Sequence, residues 1–80
     1  MDAIAKGQHA KRLLADEILQ EAFNVVKSNH VKVFEDAAAT DDQVIEARRN
    51  LLALESIKRQ LKNFEYDGKR KQKDQDRGSD

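Results

Sequence analysis

Apolar side chains recur at spacings of three and four along two long stretches of this chain. In the first, which runs from Ala10 to Asp36, Leu14, Ala15, Ile18, Leu19, Ala22, Phe23, Val25, Val26, Val33 and Phe34 fall in one broad arc of a helical wheel. Glu17, Glu21, Asn24 and Ser28 lie opposite. This pattern predicts an amphipathic helix whose apolar face is wider than a strict coiled-coil seam. Leu13 and Val31 fall outside the arc. They are either isolated exposed side chains, which are ordinary, or parts of a second contact face. Ser28-Asn29-His30 are poor helix formers, and Val31-Lys32-Val33 alternates like a strand. Three alternating residues are too few for a strand, so the helix is read as continuous with room for a kink at Ser28-Asn29-His30, in preference to a break.

The second stretch, Thr40 to Tyr66, carries a narrower stripe: Val44, Ala47, Leu51, Leu54, Ile57, Leu61 and Phe64. Its start is well signalled. Thr40-Asp41-Asp42-Gln43 matches a capping box, in which the Thr hydroxyl and the Gln side chain satisfy each other's backbone N–H groups. Asp41 and Asp42 set negative charge at the positive end of the helix dipole, and Lys58, Arg59 and Lys62 crowd the other end. Asp67-Gly68 is expected to end the helix, with Gly68 just beyond its last turn.

The flanks are less regular. Asp2 is a candidate N-cap for a helix from Ala3, but Gly7 would then sit inside it at a cost of ~1 kcal/mol relative to Ala. The simpler reading is a frayed start and a firm helix from about residue 8. Residues 69–80 contain no apolar side chain and are expected to be disordered. The expected fold is therefore all-α: an antiparallel two-helix hairpin with helices over about 8–38 and 41–67. The hairpin would occupy residues 1–68 and a flexible charged tail 69–80. The face of the first helix exceeds what the second can cover, so self-association or docking onto a larger assembly is expected.

Composition narrows the function classes. Eighty residues make one small domain, and with no cysteine there is neither a disulfide nor a thiolate zinc site to staple it. Zero proline and three glycines leave too few turn signals for a β-sandwich. Fifteen basic and fifteen acidic residues cancel, so the chain as a whole is not a polycation. No run approaches the ~18–20 apolar residues that span a bilayer, and Met1 to Gly7 lacks the apolar core of a signal peptide. A cytoplasmic location is expected, with no membrane partner.

Candidate chemistry is sparse. His9 and His30 have no metal-ligand company, and the pairs Asp16-Glu17, Glu35-Asp36 and Asp41-Asp42 are explained by capping and solvation. There is no Gly-rich phosphate loop and no nucleophile with a base. No catalytic, cofactor or metal residue is assigned, no small-molecule substrate is expected, and the reading is non-enzymatic. Lys11-Arg12, Arg48-Arg49 and Lys58-Arg59 each have acidic neighbours and read as surface ion pairs.

Lys69, Arg70, Lys71 and Lys73 form a basic cluster followed by Asp74, Asp76 and Asp80. It is either a solubilising tail or a contact for nucleic acid or an acidic partner. The candidate face for protein association is Leu13, Leu14, Ile18, Phe23, Val26, Val31 and Phe34.

Ala10-Lys-Arg-Leu-Leu-Ala-Asp-Glu-Ile-Leu-Gln-Glu-Ala-Phe23 resembles the opening of small helical proteins encoded in the structural and DNA-packaging gene clusters of tailed bacteriophages and prophages. Its marks are a basic pair, Leu-Leu, an acidic residue, then Leu-x-x-Ala-Phe. Ala47-Arg48 through Leu51-Leu52-Ala53-Leu54, Ile57, Leu61 and Gly68 are similar to that group's second helix. The resemblance covers about three quarters of the chain. It departs at Ala37-Ala38-Ala39, where the group has a more polar turn. It implies a helical-hairpin protein of virion assembly, acting in head morphogenesis or packaging, as an oligomer or within a larger protein assembly, in the host cytoplasm or the virion. The alternative it leaves open is a small nucleic-acid-binding accessory resembling a terminase small subunit and using the basic tail. No functional residue is carried over from the group.

Overall fold

The computed structural model describes residues 1–78 and contains three α-helices: α1 Ala3–Ala15, α2 Glu17–Glu35 and α3 Asp41–Gly78. The all-α expectation stands. The two-helix hairpin does not, because the first apolar stretch is divided at Asp16. That residue adopts φ −70° and ψ 121°, an extended backbone, and its N–H donates to Leu13 O at 3.1 Å. Asp competes with helical hydrogen bonding and favours helix starts, so Asp16-Glu17 closes one helix and opens the next. The apolar period runs on across Asp16, so periodicity alone does not register the break.

The chain separates into two compact units: residues 1–16 with 58–80, and residues 17–57. α3 contributes to both.

The first unit packs α1 against the C-terminal part of α3. α1 starts at Ala3 rather than near residue 8, because Asp2 caps it: the Asp2 Oδ1 accepts from Ala5 N–H at 2.7 Å, and Asp2 O accepts from Lys6 N–H at 2.9 Å. Gly7 and Gly68 are both buried and meet where the two helices cross. A Cβ on Gly7 would lie 2.8 Å from Phe64 O and 2.9 Å from the Gly68 Cα. One on Gly68 would lie 2.8 Å from Ala3 O and 3.0 Å from the Gly7 Cα. These are distances that side chains do not reach, so the crossing admits only glycine at both positions. Ala10, 2% exposed, continues the contact one turn on. Beside it the Lys6 ammonium sits 5.0 Å from the centre of the Phe64 ring, in cation–π range.

Gly68 is thus interior to α3 rather than a terminator. The expected disordered tail is also corrected: residues 69–78 are helical, and residues 79 and 80 lie outside those described. Lack of apolar residues forbids a core, but it does not forbid a helix. Lys, Arg and Gln are good helix formers. Lys69 Nζ also pairs with Glu65 Oε1 at 2.9 Å across one turn.

The second unit packs α2 against the N-terminal part of α3. α2 runs unbroken through Ser28, Asn29 and His30 and ends at Glu35 rather than near residue 38. Asp36 stops it: its Oδ1 accepts from Ala38 N–H at 2.9 Å and its carbonyl from Ala39 N–H at 3.1 Å, which folds the three alanines into a turn. The capping box then opens α3 as expected. Gln43 N–H donates to Thr40 Oγ1 at 3.2 Å, and Thr40 N–H donates to Gln43 Oε1 at 2.9 Å. Ala47 and Leu54 are buried, while Leu19, Phe23, Val33, Val44 and Leu51 are half-buried.

Two outcomes follow. Gly7→Ala and Gly68→Ala each gain ~1 kcal/mol of helix propensity but must force the helices apart at ~1–3 kcal/mol, for a net loss. Thermal unfolding should show each lowering Tm by several degrees, at ~4–8 °C per kcal/mol for a small domain. Gly78→Ala, where an added Cβ meets nothing within 4 Å, should not lower it. Thr40→Ala should cost ~1 kcal/mol and Thr40→Ser much less, as read by urea denaturation with unchanged m-value.

Candidate interaction surfaces

The strongly buried apolar set among the described residues is Ala10, Ala47 and Leu54. Two of the three are alanines, and larger apolar side chains such as Leu19, Phe23, Val44 and Leu51 are half-buried in the second unit. Other large side chains are left outside. In the second unit Ile18 is 73% exposed, Leu52 57% and Val25 52%. Ile57, Ile45, Phe34 and Val26 are also exposed.

Of the face expected from sequence, Leu13, Ile18, Val26 and Phe34 are exposed, while Leu14, Phe23 and Val31 are half-buried within the fold. Two exposed ridges emerge. Ile18 and Val25 are seven residues apart on α2, and Ile45 and Leu52 are seven apart on α3, so each pair lies on one helical side. Ile45 and Leu52 escape a reading built on the main stripe because they sit on the other side of α3 from Ala47 and Leu54. Their signal in the sequence is the separate seven-residue spacing.

Clefts lie between the helices of each unit. A cleft of about 420 Å³ has His30 and Val33 of α2 on one side and Gln43, Ala47 and Asn50 of α3 on the other. A smaller one of about 160 Å³ lies beside the glycine crossing, between Ile4, Gln8 and Lys11 of α1 and Glu65, Lys69 and Gln72 of α3. Among the described residues no group of three or more His, Asp or Glu is placed to hold a metal ion, and no helix is long and apolar enough to cross a membrane.

Charge is not spread evenly between the units. By sequence, residues 1–16 with 58–80 hold eleven basic and seven acidic side chains, and residues 17–57 hold four basic and eight acidic. The neutral total therefore comprises one basic and one acidic unit. The four basic residues singled out in the tail do not share a side. At ~100° per residue, Lys69, Arg70 and Lys73 project from one side of α3 and Lys71 from nearly the opposite one.

No protein-family model, no curated protein and no solved structure matches this chain.

Proposed function

We propose that this is a non-enzymatic assembly protein that works by helix–helix association, in the first instance with further copies of itself. The observation that carries the reading is the imbalance between what is buried and what is left in water. Among the described residues the strictly buried apolar side chains are two alanines and one leucine, with Leu19, Phe23, Val33, Val44 and Leu51 half-buried around the second unit's contact. Outside are Ile18, Val25, Val26, Phe34, Ile45, Leu52 and Ile57. Each of these large apolar side chains, about half to three-quarters exposed, forgoes part of the ~1.5–3 kcal/mol that full burial yields, and a second helical surface laid over the ridges would recover some of it. A chain of this size with no disulfide gains most from such association.

The setting proposed is virion assembly in a tailed phage or prophage, in head morphogenesis or DNA packaging. Its support is the resemblance of Ala10 to Phe23 and of Ala47 to Leu61 to the small helical proteins of those gene clusters.

Sedimentation equilibrium tests the association. The wild-type chain should show mass rising with concentration. Ile18→Gln and Leu52→Gln, both at exposed positions, should shift it toward monomer by tenfold or more in Kd while helical circular dichroism stays unchanged. A wild-type chain that remains monomeric at its solubility limit contradicts the proposal.

A further inference from the structure

Because α3 is helical through Gly78, side chains distant in sequence line up along it. At ~100° per residue, Arg59, Lys62, Tyr66, Lys69, Arg70, Lys73 and Arg77 fall within one arc of about 100°. All seven are exposed. Between Ser56 and Gly78 no acidic residue falls in that arc, and Glu55, one turn before Arg59, bounds it at the N-terminal end. Glu65 and Asp76 flank it on one side and Asp67 and Asp74 on the other, while Lys71 projects from nearly the opposite side of the helix. The stripe is about 27 Å long at ~1.5 Å rise per residue. It belongs entirely to the basic unit; α1 packs against Phe64 and Gly68 and borders the stripe only at Lys69.

We propose that this stripe binds single-stranded nucleic acid. Six cations in a line, of which Lys69 also pairs with Glu65 at the arc's edge, match a linear run of phosphates rather than a point ligand. Tyr66, 65% exposed, stands at the centre with Lys62 one turn before it and Lys69 and Arg70 one turn after. An aromatic ring set among cations is the arrangement that stacks an unpaired base while its neighbours hold the backbone. A duplex would offer that ring no accessible base face. A membrane surface would need apolar side chains on the same arc, and Tyr66 is the single aromatic there. The proposal goes beyond the assembly role and does not depend on it, since the stripe is complete within one chain.

Fluorescence anisotropy with a labelled oligothymidine, at low and moderate salt, tests it on the full chain. Lys73→Gln and Arg59→Gln together should weaken binding at least tenfold and flatten the salt dependence, because each phosphate contact contributes ~0.7 to the log–log slope for single strands. Tyr66→Ala should weaken it about tenfold with the slope unchanged. Lys73→Gln alone should weaken it at least threefold, and Lys71→Gln, which removes the same single charge from the other side, should change it less than twofold. All four substitutions are at exposed helical positions, and circular dichroism confirms that the helix is kept. Equal losses from Lys71→Gln and Lys73→Gln would overturn the stripe and leave only bulk charge. Tighter binding to duplex or to phosphatidylserine vesicles than to the oligothymidine would overturn the ligand. Absence of any binding at low salt would overturn both.

Discussion

Two glycines hold the N-terminal helix against α3. Gly7 and Gly68 meet with no side chain between them, and a Cβ on either would strike backbone of the opposite helix at 2.8 Å. Glycine inside a helix ordinarily weakens it by ~0.5–1 kcal/mol relative to alanine. Here the weakness is offset by close approach, which brings Ala10 into full burial and sets Lys6 over the Phe64 ring. The crossing also fixes how α3 behaves around it. With Gly68 seated against α1, the helix passes straight through a residue type that elsewhere ends helices, and the basic sequence beyond it is carried on in helical register.

The rest of the fold follows from local chemistry of a familiar kind. Asp2, Asp36 and Thr40 each satisfy backbone N–H groups at a helix boundary, and Asp16 takes extended backbone where one helix gives way to another. These short polar residues cut the chain into helices, while the apolar stripes only decide which side of each helix turns inward. At the glycine crossing, contacts between small residues bring the helices close. The second unit keeps exposed isoleucine, valine and leucine ridges, and the proposed association rests on them.

Legibility in the sequence was uneven for physical reasons. The Thr40–Gln43 capping box and the Val44 to Leu54 stripe were readable because both depend on residues within one or two turns of each other. The helical class was readable from composition. The break at Asp16 was hidden because apolar spacing continues across it. The glycine crossing was hidden because each glycine has two opposite meanings, a flaw or terminator locally and a contact point in three dimensions, and only the partner helix selects between them. The helical tail was misjudged because lack of apolar residues argues against burial, whereas helix continuation depends on propensity and on pairs such as Glu65–Lys69. The basic cluster was visible as charge. Its division into a stripe containing Lys69, Arg70 and Lys73, with Lys71 outside it, needs a helix to exist there first.

The structure depends on α1 crossing α3 at Gly7 and Gly68 and on α3 continuing helically past that point. Solution NMR of the full chain should show a nuclear Overhauser effect between the Gly7 and Gly68 α-protons, with helical ¹³Cα shifts continuing from Lys69 through Arg77. Random-coil shifts from Lys69 onward, with no contact between the two glycines, would contradict it.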